Sequence, residues 1–442
     1  MHMEDILHIP ISFFENIPRL RVLNLSCHNS YHPLSLPQSM KPLLNIRSLS
    51  FGNVDLGDIS VFGSLQSLET LELNYCAINE LPPEIEKLEN FRLLELKNCE
   101  IRNNNPFEVI QRCPSLEELY FLNSFNDFCK EITLPTLQRY HLSNVAGYRY
   151  RVNDTISRGV SLRWDYFSEA TLKYVMKTAE HLHLEGTDKG WRNLMPGIIP
   201  IDNGMNDLIE LSLETCHQVQ CLLDTKHINS EVPSVFSNLK KVTLISCSML
   251  VSVFDLSTAR GLLLLEKLKI IDCEKLENII TTDCDNDNKN SCNSMFPNLK
   301  FLCIEKCHKL QFILPCHSAG DFLLLEYIKI ENCHKLEYIF GQHQDVKLVS
   351  LKILKHNDVP NFIDIFPEAL SIKGSSNSIS KPQSELEPVK SKTFSWSQIC
   401  CYGYKSRGRT STKMPLVSNN QPKDCSITLV TPSHIFIYSF CF

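Results

Sequence analysis

Leucines and other aliphatic residues recur along this chain in a template of nine positions, LxxLxLxxC, in which the positions marked x are mostly polar. The template is complete at seven places, which begin at residues 68, 91, 208, 239, 265, 299 and 325. Because positions 4 and 6 alternate with polar residues, they face one side of a short β-strand, and we expect that side to be buried. Position 9 is predicted to end each strand in a tight turn that accepts a small side chain.

Weaker copies of the template extend the pattern over most of the chain. Copies without the cysteine begin at Leu20, Ile46, Leu116, Leu137, Ala179 and Leu348, and a doubtful copy lies near Ser157. These make about fourteen turns spaced by about 25 residues, which is within the range of leucine-rich repeats. Each turn can bury its aliphatic row only against its neighbours. The pattern therefore predicts an α/β repeat fold, a leucine-rich-repeat solenoid (horseshoe) with a concave parallel β-sheet and a helical or irregular convex side.

The spacing of the copies divides the chain into four parts. Residues 1–147 and 201–370 are predicted to be two blocks of leucine-rich repeats, and 148–200 are predicted to be degenerate repeats between them. Residues 371–442 are predicted to be a disordered or irregular tail, because most of this segment has few apolar residues. Its apolar end is interrupted by polar residues and would be a poor membrane span. No capping turn precedes the first aliphatic row, so we expect the isolated chain to associate unless another domain covers that end.

Composition and charge narrow the functional classes. The net charge of −6 gives no reason to expect nucleic acid or an anionic membrane as a partner, and no stable membrane insertion is expected. Acidic residues stand where a secretory signal would be basic, which favours a cytoplasmic protein. Seven of the nineteen cysteines occupy position 9 of the template. We interpret these seven as small buried hydrophobes in a reducing compartment, not as a disulfide framework.

Signatures of catalysis and of cofactor binding were sought without success. The chain contains no glycine followed by lysine, no HExxH, no GxSxG and no CxxC, so we expect neither an enzyme nor a cofactor. Two candidate metal sites have simpler interpretations. The Cys-His neighbours at 216/217, 307/308 and 333/334, with Cys303, are interpreted as strand ends in separate turns. The stretch 283–294 lacks the glycine and glutamate of a calcium loop and is interpreted as a solvated insertion.

The outward positions 2, 3, 5, 7 and 8 of the template form the candidate binding face. Its first block carries five acidic residues: Glu69, Glu72, Glu95, Glu117 and Glu118. Its second block carries nine lysines: Lys240, Lys241, Lys267, Lys269, Lys300, Lys306, Lys329, Lys352 and Lys355. Two interpretations remain open, a polarised face that docks two differently charged partners and the ordinary charge of a solvated sheet.

Several stretches carry a family resemblance, namely FFENIPRLRVLNLS (13–26), LGDISVFGSLQSLETLEL (56–73), INELPPEIEKLENFRLLELKNC (78–99), SLEELYFLNSF (115–125) and the recurring CEKL and CHKL turns. Together they resemble the leucine-rich-repeat arm of plant intracellular disease-resistance receptors of the coiled-coil nucleotide-binding class. The resemblance implies recognition in defence against pathogens through protein–protein interaction. The partners it implies are a pathogen effector, a guarded host protein or a nucleotide-binding switch domain, which this chain lacks. No single functional residue is transferred by the resemblance.

Two other classes compete with this interpretation. A receptor ectodomain is expected to have a signal peptide, flanking paired cysteines and asparagine at position 9. A substrate adaptor of a ubiquitin ligase would share the cysteine at position 9, but it would need a helical domain before the repeats. The sequence favours neither alternative.

Overall fold

The computed structural model describes residues 7–8, 17, 19–27, 32–35, 43–145, 157–186, 190–224, 234–281, 294–315, 322–341, 348–365, 367, 424–430 and 435–441. Residues 7–8, 32–35, 203, 424–430 and 435–441 are described by their backbone alone.

Short strands dominate the secondary structure. In chain order they are β1 Leu7–His8, β2 Val22–Cys27, β3 His32–Ser35, β4 Ser48–Gly52, β5 Val54–Gly57, β6 Thr70–Asn74, β7 Ala77–Ile78, β8 Leu93–Lys97, β9 Glu100–Ile101, β10 Glu118–Leu122, β11 Arg139–Ser143, β12 Arg158–Arg163 and β13 His181–Glu185. They continue as β14 Glu210–Glu214, β15 Lys241–Ile245, β16 Ser252–Asp255, β17 Lys267–Ile271, β18 Asn278–Thr281, β19 Phe301–Glu305, β20 Phe312–Leu314, β21 Tyr327–Glu331, β22 Tyr338–Phe340, β23 Ile353–Asn357, β24 Asp424–Val430 and β25 Ile435–Cys441.

The helices are few and short. The α-helices are α1 Phe107–Ile110, α2 Glu169–Thr178 and α3 Leu256–Gly261, and 3-10 helices span Ser60–Ser64, Pro83–Lys87, Trp164–Tyr166 and Ile201–Asn203.

One large sheet contains a strand from every predicted turn. Its order is β23-β21-β19-β17-β15-β14-β13-β12-β11-β10-β8-β6-β4-β2-β24-β25, and the strands from β23 to β2 are all parallel. They are fourteen in number, one for each copy of the template, so the predicted solenoid is confirmed. The doubtful copy near Ser157 is confirmed as well, because its positions 4 and 6 are the fully buried Val160 and Leu162 of β12.

Equivalent template positions lie side by side in this sheet, with two exceptions. Between β11 and β12 the register shifts by two residues, so that Leu142 of position 6 pairs with Val160 of position 4. A shift of two leaves every side chain on its own face of the sheet. The second exception corrects a sequence prediction. Ile328 pairs with Leu354, which places the last copy at Leu351 and not at Leu348. Leu348 belongs to the turn before the strand, where its carbonyl accepts a hydrogen bond from the Leu351 amide at 3.2 Å.

The core consists of stacked rows of template positions 1, 4, 6 and 9. In the turn that begins at Leu265, for example, the residues at these four positions are each 0% exposed, namely Leu265, Leu268, Ile270 and Cys273. The residue at position 8 adopts a left-handed backbone in most turns, as Asp272 does with a φ of 58°. This conformation bends the chain out of the sheet after each strand, which is why a small side chain follows at position 9.

The returning segments are less helical than the sequence suggested. The predicted inward residues Leu81, Ile85 and Leu88 are buried, and Ile85 lies within a 3-10 helix at Pro83–Lys87. Directly after position 9, however, the chain often stays extended. These extended pieces pair in parallel as a second sheet, in the order β1-β3-β5-β7-β9, and as the pairs β16-β18 and β20-β22. Successive turns align these residues, so their backbone groups bond to the next turn instead of to a local helix.

The segment predicted as degenerate contains β12, α2 and β13. Ser168 caps this helix by accepting a hydrogen bond from the amide of Thr171, and Leu172, Val175 and Met176 bury its inner face. The sheet passes through β12 and β13 without interruption. The boundaries of the two repeat blocks remain predictions.

The end of the chain differs from the irregular tail expected from the sequence. β24 and β25 form an antiparallel hairpin, and β24 pairs antiparallel with β2 from Val22 opposite Val430 to Cys27 opposite Cys425. The edge of the first turn, expected to be open, is therefore covered by backbone of the same chain. Alternating apolar and polar residues in DCSITLV are compatible with such a strand. Residues 371–423 of the predicted tail lie outside the described residues.

Candidate functional site

The candidate binding residues lie on or beside the face of the large sheet that points away from the core, called the open face below. It consists of template positions 3, 5 and 7. The structure brings the predicted residues together in two groups. The acidic group lies on and beside β6, β8 and β10, and the lysines lie on and beside β15, β17, β19, β21 and β23. The face contains both groups, and its role in binding remains a prediction.

The acidic group is partly neutralised by neighbouring turns. Glu69 forms an ion pair with Arg47 at 3.1 Å, and Glu117 forms one with Arg92. Glu72 and Glu95 lie opposite each other on β6 and β8. Burial raises the pKa of Glu95, and the charge of Glu72 raises it further, while Lys97 opposes both effects.

Glu118 completes the acidic group beside an aromatic residue. Its carboxylate accepts a hydrogen bond from the hydroxyl of Tyr120 at 2.9 Å. The Tyr120 ring stacks on His141 of the next strand, with ring centroids 5.3 Å apart. The acidic group therefore ends where an aromatic and histidine-rich part of the face begins.

Between the two charged groups the open face is buried. His141 is 1% exposed and His183 is 3% exposed, although both stand at position 5. Burial lowers the pKa of each to about 4, so both rings are neutral near pH 7. Ser161 lies beside His183 on the neighbouring strand, with Ser143 on its other side, and is 0% exposed. The sequence analysis treated position 5 as outward throughout, and nothing in the template distinguished this central part.

Four of the nine predicted lysines form ion pairs with glutamates of adjacent turns. Lys300 pairs with Glu266 at 3.2 Å and Lys352 pairs with Glu326 at 2.9 Å. These two lysines occupy the same template position once the last copy is placed at Leu351, so the two ion pairs are equivalent. Surface pairs of this kind contribute little to stability, but they reduce the net positive charge of the face.

Two further lysines are held more tightly. Lys241 forms an ion pair with Glu210, whose carboxylate also lies 3.2 Å from a ring nitrogen of His181. Burial alone would raise the pKa of Glu210, but His181 and Lys241 lower it to about 2. Lys329 contacts the carboxylates of Glu305 at 2.7 Å and Glu331 at 2.9 Å. Burial opposes its charge, but these hydrogen bonds outweigh burial and raise the pKa of Lys329.

Among the predicted lysines at positions 3 and 5, three form no such ion pair within the described part of the chain, and two of these three contact aromatic rings. The ammonium of Lys267 lies 4.7 Å from the ring centroid of Phe301, and that of Lys355 lies 5.9 Å from the centroid of Tyr327. The two rings stack on each other with centroids 4.6 Å apart and an angle of 4° between their planes. Lys269 follows Lys267 by two positions on β17. We call these five residues the lysine–aromatic face.

The sequence analysis identified the lysines of this face but missed the rings. Phe301 and Tyr327 both stand at position 3, in adjacent turns that begin at 299 and 325. Aromatic residues at one outward position of consecutive turns were the available signal, because equivalent positions become neighbours in a parallel sheet.

The position-9 cysteines have the structural role predicted for them. All seven are buried. Their thiols donate hydrogen bonds to backbone carbonyls, as in Cys99, whose Sγ lies 3.1 Å from the carbonyl oxygen of Leu73 in the preceding turn. Burial raises the pKa of Cys76 to about 12 and that of Cys99 to about 11. Protonated thiols are poor metal ligands and poor nucleophiles.

Other candidate chemistry is limited. In the described ranges no group of three histidine, cysteine or acidic side chains is placed to hold a metal ion. Of the calcium-loop stretch 283–294, all but the last residue lies outside the described residues. No helix among the described residues is long and apolar enough to cross a membrane. Cys27 on β2 is disulfide-bonded, unlike the position-9 cysteines of the described residues.

Comparison with known protein families gives a match near the end of the large sheet. Residues 275–368 match the leucine-rich repeats of plant disease resistance proteins of the RPS2-like type. This segment includes β18 to β23 and, with them, Phe301, Tyr327 and Lys355 of the lysine–aromatic face. The chain therefore has the leucine-rich-repeat fold, and its residues 275–368 are similar to the repeats of plant resistance proteins.

Individual relatives share the repeat. A segment of 114 residues is 35% identical to the MAP kinase phosphatase with leucine-rich repeats protein 1 of Dictyostelium discoideum, and the match covers 25% of this chain and 13% of that protein. A leucine-rich-repeat protein of Leptospira interrogans aligns at 14% identity over 75% of this chain and 81% of its own, with a TM-score of 0.35. The plant peptide hormone receptor RGFR1 in complex with RGF2 aligns at 15% identity over 80% of this chain and 73% of its own, with a TM-score of 0.29. With TM-scores this low, the fold assignment rests on the sheet and the repeat register.

Proposed function

We propose that this chain is the leucine-rich-repeat recognition and regulatory arm of a plant disease-resistance protein and acts in the defence response through protein–protein interaction. The observation that carries the proposal is the match of residues 275–368 to the repeats of RPS2-like resistance proteins. The function is binding and not catalysis, with no cofactor.

The open face supports a role in recognition. Fourteen parallel strands present their outward side chains in continuous rows, and a repeat scaffold of this kind offers an extended binding surface. The lysine–aromatic face lies within or next to the segment that matches the resistance proteins. Its cations and rings combine charge with apolar area, as the energetically important residues of protein interfaces do.

The finer assignment follows the family resemblance. We place the arm in the coiled-coil nucleotide-binding class, where its partners are a pathogen effector, a guarded host protein or a nucleotide-binding switch domain. A cytoplasmic location suits the buried thiols of residues such as Cys76, Cys99 and Cys333, because a reducing compartment keeps thiols reduced.

One observation favours a second candidate, the ectodomain of a receptor outside the cell. Cys27 is disulfide-bonded, and disulfides persist in oxidising compartments. The oxidation state of Cys27 in protein isolated from plant cells under acid quench distinguishes the two. Reduced Cys27, detected by mass spectrometry after differential alkylation, would support the cytoplasmic arm. Fully oxidised Cys27 would support the ectodomain instead.

The defence role is tested by disrupting the gene in its source plant and complementing it with the wild-type chain in its native context. We expect one or more pathogen isolates of a panel to multiply at least about tenfold more in the disrupted line, and complementation to restore the lower titre. Equal growth of every isolate in the disrupted and complemented lines would contradict the proposed function.

A further inference from the structure

The lysine–aromatic face combines three unpaired charges with a rigid apolar centre. Lys267, Phe301 and Tyr327 occupy position 3 of three successive strands, and Lys269 and Lys355 flank them at position 5. The stacked rings restrict each other, and the ammonium groups of Lys267 and Lys355 lie over them, so these side chains have little freedom to lose on binding. Preorganised cations of this kind are suited to bind carboxylates.

Exposed leucines border the same part of the sheet. Leu263 and Leu264 are 54% and 37% exposed in the turn before β17, and Leu323 and Leu324 are 39% and 41% exposed in the equivalent turn before β21. These turns lead directly into positions 2 and 3 of their strands. A partner that reaches the lysines along this border therefore also meets apolar surface, and exposed apolar clusters rimmed by charge mark interaction sites.

Nucleic acid fits this face poorly. The inner ring faces of Phe301 and Tyr327 contact each other at 4.6 Å, and lysine ammonium groups lie over the rings, so no ring face is left open for a stacked base. Glu305 and Glu331 are nearby on β19 and β21 and would repel phosphates. Protein carboxylates are the better ligands, because they can be spaced to meet single lysines and to avoid the glutamates.

The spacing of the lysines defines the partner further. Lys267 and Lys269 lie on β17 and Lys355 lies three strands away on β23, a separation of about 14 Å at the usual distance between strands. An extended peptide covers that distance in about four residues. Between the two ends it passes over the Phe301–Tyr327 pair.

We infer that the lysine–aromatic face binds an extended acidic segment of a partner protein, in which carboxylates about four residues apart flank an apolar side chain. The carboxylates contact Lys267, Lys269 and Lys355, and the apolar side chain lies on the edges of the Phe301 and Tyr327 rings. Burial and the charges of Lys269 and Lys241 lower the pKa of Lys267. A carboxylate bound beside Lys267 offsets the repulsion from these two lysines, and this adds to the attraction. This inference rests on the proposed function, since it names the partner chemistry of the same open face.

The test uses the full chain and a fluorescein-labelled peptide. In this peptide one leucine is flanked by a pair of glutamates on each side. Fluorescence anisotropy compares the wild type with K267E/K269E and with K275E/K335E, a control pair of exposed lysines outside the face. The two double variants carry the same change in net charge. We expect at least about a tenfold loss of affinity in K267E/K269E, less than about a twofold loss in the control, and weaker wild-type binding as salt rises. Circular dichroism checks that each variant is folded.

Further comparisons test how much of the binding depends on charge and how much on apolar contact. They also test whether the face prefers a peptide or a nucleic acid. The glutamine version of the peptide should lose nearly all binding, and Y327A should weaken binding of the acidic peptide several-fold. Equal binding by K267E/K269E and the wild type, or no wild-type binding at low salt, would overturn the inference. Stronger binding of a single-stranded oligonucleotide than of the peptide would also overturn it. None of these results bears on the defence phenotype of the disrupted line, so the two proposals fail separately.

Discussion

Four consecutive leucines offer a direct test of the repeat register. In the segment 262–265, Leu262 and Leu265 are 0% exposed, whereas Leu263 and Leu264 are 54% and 37% exposed. Leucine to alanine removes three carbon groups, worth about 2.4 kcal/mol in transfer free energy at full burial. A residual cavity brings the expected cost to about 3 kcal/mol at each buried position. The same substitution at Leu263 or Leu264 should change the free energy of unfolding by less than about 0.5 kcal/mol.

The four single alanine variants are compared by equilibrium urea unfolding, followed by circular dichroism at 25 °C. Side-chain chemistry, helix or strand propensity and sequence neighbourhood are nearly the same for all four, so only burial separates them. Four equal losses, or larger losses at 263 and 264, would refute the register. A changed slope of the transition would show that part of the solenoid unfolds separately, since repeat arrays depart readily from two-state behaviour.

Three further predictions concern charge and pH. Burial raises the pKa of Cys76 to about 12 and that of Cys99 to about 11, so these thiols ionise in the unfolded chain before they ionise in the folded chain. The urea midpoint of unfolding should therefore fall as pH rises above about 9. A constant midpoint up to pH 10 would contradict this. The pKa of His141 and that of His183 are lowered to about 4, so on acidification these rings gain protons in the unfolded chain first. Stability should therefore decrease from about pH 6.5 toward pH 4. In the same titration H141F should show a smaller decrease. K329M should lower the free energy of unfolding by about 1 kcal/mol by leaving two glutamates without their cation, whereas K335M, at an exposed lysine, should not.

The parts of this fold that are periodic could be predicted from the sequence. Positions 4 and 6 of the template determine which side of each strand is buried, and Val160 and Leu162 were sufficient to detect a turn whose other positions are irregular. The last turn was misplaced by three residues because Leu348, Leu351 and Leu354 are all leucines at the same spacing. Only the pairing with β21 distinguishes them.

The parts that depend on neighbouring turns could be predicted less well. Ion pairs such as Lys352 with Glu326 join residues 26 positions apart, and their partners become adjacent only when the turns are stacked in register. The pairing of β24 with β2 brings together residues about 400 positions apart, and no local pattern indicates it. The burial of His141 likewise depends on the packing around it and not on its template position.

The central claim is that the lysine–aromatic face of a leucine-rich-repeat arm recognises a protein in plant defence. Its most direct test measures pathogen titre in the disrupted line complemented with the wild-type chain, with K267E/K269E or with the control K275E/K335E, at matched protein levels. We predict that the control restores the lower titre and that K267E/K269E leaves the titre as high as in the disrupted line. Full restoration by K267E/K269E would contradict the claim.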